Sequence, residues 1–80
     1  MSGKIEDSAM ARESIREELD AINRYEQRIA QTSNVSLKKV LQHNADEEKE
    51  HAAMLVEWLR QNGLLKIRSS KSMISGSSDQ

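Results

Sequence analysis

The stretch DEEKEHAAMLVEWL, residues 46 to 59, decides how this chain folds. Leu55, Trp58 and Leu59 recur with the period of an α-helix, and Glu48 and His51 fall on the same stripe, where an amphipathic helix normally carries apolar side chains. Extended upstream, the stripe runs Leu37, Val40, Leu41, Asn44, Glu48, His51, Leu55, Trp58 and Leu59. Asn34 precedes it as a helix cap and Gly63 follows it as a terminator, which predicts a helix over about residues 35 to 62.

A second stripe lies before it. Ile15, Leu19, Ile22 and Ile29 recur at helical spacing with no Pro or Gly between them, which predicts a helix over about residues 8 to 32 with Ser8 as its cap. Residues 1 to 7 then form a polar lead-in. Between the helices, Gln31-Thr32-Ser33-Asn34 is a cluster of short polar side chains that compete for backbone hydrogen bonds and favour a turn. Two helices of about 25 residues, each about 38 Å long, joined by so short a turn must fold back antiparallel. The expected fold is all-α: a helical hairpin over residues 8 to 63, half of a four-helix bundle, followed by a Ser-rich, flexible tail over residues 64 to 80.

Composition narrows the classes of function. Eighty residues make one domain, and with 36% hydrophobic residues, no Phe, and Tyr25 and Trp58 as the aromatics, the interior of a monomer is thin; self-association is expected. Twelve basic residues against thirteen acidic give a net charge of −1, which speaks against nucleic acid or an anionic membrane surface as partner. The absence of Cys removes disulfides, thiolate zinc sites, iron-sulfur clusters and a cysteine nucleophile together. No segment reads as a signal peptide or approaches the roughly 20 apolar residues that span a bilayer, so a cytoplasmic protein is expected.

Glu48 and His51, three residues apart, project from one helix face and can reach one metal ion. Glu18 sits at the edge of the first helix's stripe, four residues before Ile22, so both helices point carboxylates inward. Buried unpaired carboxylates are costly, and a divalent cation compensates them. Oxygen and imidazole ligands without thiolate suit iron, manganese or zinc, and redox chemistry favours the first two. The di-iron carboxylate bundles take one Glu from each of two helices and a Glu-x-x-His from each of the other two. This chain holds one of each, Glu18 and Glu48-x-x-His51, so two copies about a two-fold axis supply the full set. A lone Glu-x-x-His arises readily by chance in a Glu-rich helix; its place on the buried stripe is what distinguishes it. Glu50 falls on the opposite side as ordinary solvated charge, His43 lies off the stripe, Trp58 reads as a packing residue, and Tyr25 fits either a core role or one beside a metal.

The stretches EELDAINRYEQRIA and HNADEEKEHAAMLVEWLRQN resemble the encapsulated ferritins, two-helix members of the ferritin-like superfamily housed in encapsulin nanocompartments, over roughly Ser14 to Asn62. The resemblance implies that Glu18, Glu48 and His51 are ligands of a ferroxidase centre formed between two subunits, with Glu18 bridging two irons, one iron per chain. It further implies that Tyr25 stands beside that centre and that Glu17 and Asp20 are outlying metal-entry positions, Asp20 replacing a Glu. A homodimer within a ring, typically a decamer, and delivery of oxidised iron inside an encapsulin shell follow from the same likeness. The family's C-terminal targeting motif, leucine-threonine-valine-glycine-serine-leucine, is matched here through Ile74, Gly76 and Ser77 alone. Rubrerythrin-like proteins share looser forms of both motifs, and a peroxide reductase of that kind would need an external electron donor. A non-catalytic helical module that self-associates through its apolar stripe is the rival from another class.

Overall fold

The computed structural model describes residues 3–65, and the expected C-terminal tail lies outside them from residue 66 onward. Two helices, α1 (Gly3–Gln31) and α2 (Val35–Gln61), pack against each other as the antiparallel hairpin. No strand occurs among the described residues.

The turn and the ends of α2 follow from local chemistry. Asn34 has an extended backbone, and its side-chain oxygen accepts from the Leu37 N–H at 2.9 Å and from the Ser36 hydroxyl at the same distance, an N-cap that satisfies one of the orphan amides of the first turn. Thr32 steadies the approach, its hydroxyl accepting from the Asn34 N–H at 3.1 Å. At the other end Gly63 takes a left-handed φ of 68°. The Leu64 N–H then reaches the Leu59 carbonyl at 2.8 Å and the Gly63 N–H the Arg60 carbonyl at 3.1 Å, the paired bonds of a Schellman motif.

The start of α1 departs from expectation. The helix begins at Gly3, so most of the expected polar lead-in is helical, and Ser8 is not a cap but a buried residue within the helix whose hydroxyl accepts a hydrogen bond from Arg12. The reason is tertiary. In an antiparallel hairpin the first turns of α1 lie beside the last turns of α2, and burial there of Ser8 and Ala11, with Leu59 only 2% exposed, rewards helix formation that local sequence signals did not announce.

The seam between the helices is narrow and small-chained. Its less exposed positions run Ser8, Ala11, Ile15, Glu18, Ile22, Tyr25 and Ile29 on α1, continuing to Thr32 in the turn, and Leu41, Ala45, Glu48, Ala52, Leu55 and Leu59 on α2. These spacings alternate three and four, the repeat of a left-handed coiled coil. Ala45 is fully buried and Ala52 nearly so, and such short side chains let two backbones approach closely. The expected stripe is therefore split. Leu19, expected to pack inward, is 51% exposed, and Leu37, Val40 and Trp58 form with Met54 a second row beside the seam that the hairpin leaves open.

Two substitutions test this account. Asn34→Ala is expected to destabilise the fold by about 1 kcal/mol through loss of the cap. Ala45→Leu is expected to cost about 1–3 kcal/mol by forcing the backbones apart. Thermal unfolding followed by circular dichroism at fixed protomer concentration checks both, and an Ala45→Leu chain as stable as the parent would contradict the close-packed seam.

Candidate metal centre

Glu18 reaches the seam from the middle of α1 and Glu48 from the middle of α2, each carboxylate about one-quarter exposed. His51, one turn beyond Glu48, stands at the edge of the open face with its imidazole about half exposed. Its Nδ1 lies 3.5 Å from Glu48 Oε1 and 3.9 Å from Glu18 Oε1. One ligand atom from each of these three residues falls within 4.8 Å of the others, and no other such group of three or more occurs among the described residues. Bonds of about 2.1 Å to a common ion set ligand atoms about 3 to 4 Å apart, so the three side chains are close to a coordinating arrangement.

The electrostatics are those of two carboxylates held close together beside an imidazole. The Glu18 carboxyl is held above the usual carboxylate range, first by its hydrogen bond with Glu48, then by burial, then by the Glu48 charge, with His51 opposing the rise. The hydrogen bond and the neighbouring Glu48 charge favour the protonated form of Glu18, and a cation bound there would supply the same compensation. Beside them a cleft of about 490 Å³ opens on the exposed side, lined by Ser14, Glu18, His51, Met54, Leu55 and Trp58.

The remaining sequence candidates sit elsewhere. Tyr25 is a partly buried seam residue two turns from Glu18, with the Arg28 guanidinium 5.9 Å from its ring centroid, and it does not join the cluster. Glu17 and Asp20 are exposed and outside the cluster. Their charges fall on Arg16, whose guanidinium is pushed up first by its hydrogen bond to Glu13 at 3.0 Å, then by the Glu13 charge, and more weakly by Asp20 and Glu17. His43 is exposed and paired with Glu47 at 3.2 Å. Asn44 is partly buried on α2 between the two rows. Sequence reasoning missed the roles of Ala45, Ala52 and Met54; the regular three-four spacing through both alanines was the available signal for the seam.

Comparison with known proteins gives the family and agrees with the fold. The family model described as EncFtn-like matches residues 1–70. A ferritin-like protein of Thermotoga maritima is 48% identical over 62 residues, covering 78% of this chain and 54% of its own. An encapsulated ferritin-like protein of Rhodospirillum rubrum is 53% identical over 49 residues, 61% of this chain and 35% of its own. The encapsulin nanocompartment cargo protein EncC of Myxococcus xanthus is 47% identical over 57 residues, 68% and 44% respectively. The matched part of this chain thus spans about half the length of these relatives or less. Among solved structures, the crystal structure of protein ne0167 from Nitrosomonas europaea is 36% identical with a TM-score of 0.73, covering the whole of this chain and 86% of that one.

A pH and metal experiment follows from the raised Glu18 carboxyl. A group whose folded pKa lies above its unfolded value stabilises the fold while protonated, and that contribution is lost as pH rises through the folded value. The metal-free chain is therefore expected to lose part of its stability between mildly acid and neutral pH, and Glu18→Gln to lose less. Manganese(II) at about 100 times its Kd is expected to add about 2.7 kcal/mol at neutral pH, and progressively less on acidification as the proton competes. Thermal melts across that pH range check this; an undiminished manganese effect in Glu18→Gln would remove Glu18 from the site.

Proposed function

This chain belongs to the EncFtn-like family of encapsulated ferritins, and from that premise we propose that it is a ferroxidase, oxidising Fe(II) to Fe(III) at a centre completed by two copies of the hairpin. The observation that carries the proposal is the convergence of Glu18, Glu48 and His51 at the edge of the hairpin's open face. Three ligands on one chain leave a first-row ion with coordination positions to fill. A second copy, related by a two-fold axis through the open face, brings the same three residues from the other side.

Each residue has a distinct part. Glu18, with two carboxylate oxygens to offer, would bridge two Fe(II) substrates, while Glu48 and His51 of each chain would hold one iron apiece. Binding would favour the ionised form of Glu18, whose negative charge offsets the metal's. Each Fe(II) then gives up one electron. With dioxygen as acceptor, two electrons and two protons yield hydrogen peroxide; with peroxide as acceptor, they yield two waters. Carboxylate oxygens favour Fe(III) over Fe(II), so the ligand set itself assists the oxidation. Tyr25 stands two turns along the seam from Glu18 and has no ligand role here, and Glu17 and Asp20 offer outlying charge that draws cations towards the centre.

The open row of Leu37, Val40, Met54 and Trp58 supports the dimer, because a monomer would leave that apolar surface in water. A ring of such dimers, up to a decamer, and residence within an encapsulin nanocompartment are proposed on the names borne by the Rhodospirillum and Myxococcus relatives. No helix among the described residues is long and apolar enough to cross a membrane.

The test is metal content, assembly and rate together. Anaerobic Fe(II) is expected to bind at one ion per chain and to shift the mass measured by analytical ultracentrifugation towards the dimer or higher. Glu48→Ala and His51→Ala are each expected to reduce iron oxidation to the rate of Fe(II) in buffer alone. Dimerisation to the same extent in chelator, with no stoichiometric iron, would instead identify a non-catalytic association module.

A further inference from the structure

The cleft that opens onto Glu18 and His51 contains one soft, oxidisable side chain that the reaction above does not use. Of its six lining residues, Ser14 and Leu55 are inert to peroxide, Glu18 and His51 are the ligands, Trp58 is a poor oxygen acceptor, and Met54 carries a thioether. Met54 lies one helical turn beyond His51 on the same side of α2. We infer that Met54 intercepts hydrogen peroxide leaving the metal centre and is converted to its sulfoxide, sparing the ligands behind it.

The step balances without a further reagent. The O–O bond of peroxide breaks, one oxygen bonds to the Met54 sulfur, and the other departs as water with both protons; sulfur loses two electrons and peroxide gains them. The inference rests on the ferroxidase reading in its dioxygen form, which supplies the peroxide. In the proposed dimer the cleft is on the inward side, so peroxide formed between Glu18 and His51 meets Met54 before bulk solvent.

The molecule supplies its own control. Met10 lines an adjoining cleft of about 340 Å³ with Asp7, Ala11, Ser14, Leu55 and Trp58, a cleft that reaches neither Glu18 nor His51. Met10 and Met54 are 61% and 65% exposed in the single chain, and the iron-free peroxide sample sets the ratio at which an outside reagent labels them in the assembly. Position relative to the metal ligands is what separates them.

Peptide mass spectrometry after turnover decides the matter. The full chain is given Fe(II) in air with catalase in the medium, and a parallel sample is given hydrogen peroxide without iron. The expected result is a Met54-to-Met10 sulfoxide ratio several-fold higher under turnover than with peroxide alone, insensitive to catalase, and reduced to the peroxide-only ratio in Glu48→Ala. In Met54→Leu, oxygen adducts are expected to move to the peptides carrying His51 and Trp58. Accelerated iron oxidation with equal labelling of Met10 and Met54, or a preference that catalase abolishes, overturns the role of Met54 and leaves the ferroxidase reading standing. Iron oxidation no faster than in buffer overturns both.

Discussion

A helix in a two-helix hairpin has one neighbour and can bury only one strip of its surface. Here that strip is filled mostly by small and medium side chains, with Ala45 and Ala52 on α2 and Ser8 and Ala11 on α1 among its buried residues. Close approach of the backbones follows, and with it the meeting of Glu18 and Glu48 across the seam. The same limit leaves α2 with a second row of large apolar residues, Leu37, Val40, Met54 and Trp58, that nothing among the described residues covers.

The placement of charge makes sense within that limit. Surface ion pairs such as Arg60 with Glu57, at 2.6 Å, hold a carboxyl below its usual range and contribute little to stability in water. Glu18 does the opposite: the fold sets it beside Glu48, whose hydrogen bond and charge, with burial, hold its carboxyl above the usual range. Functional sites commonly carry such local penalties, because a pocket already relaxed in the absence of its ligand gains little when the ligand arrives. A divalent cation bound there would relieve both the repulsion and the desolvation. Stability and metal affinity are in this way two aspects of one arrangement.

Helix caps and the turn were legible residue by residue, because Asn34 and Gly63 act through bonds to backbone within a few positions of themselves. The metal cluster was legible for a different reason. Polar groups on an otherwise apolar stripe violate the helical pattern, and Glu18, Glu48 and His51 do so at matching heights on helices that a short turn forces to be antiparallel. The beginning of α1 was not legible: Ser8 has the chemistry of a cap, and only contact with the far end of α2 makes it an interior residue instead.

The division between the two rows was also hidden, since a stripe of apolar residues says that a face will be covered without saying by what. Sequence by itself determined two helices, their antiparallel order and three polar residues, Glu18, Glu48 and His51, on one stripe, because each rests on local hydrogen bonding, helical period or chemical type. Tertiary structure decided that Ala45 and Ala52 rather than Trp58 fill the seam, that Glu17 and Asp20 stand apart from Glu18, and that His51 and Met54 share one cleft. Those outcomes depend on the rotation of each helix about its own axis. That angle is set by which side chains let two backbones approach most closely, a property of the pair and not of either helix alone.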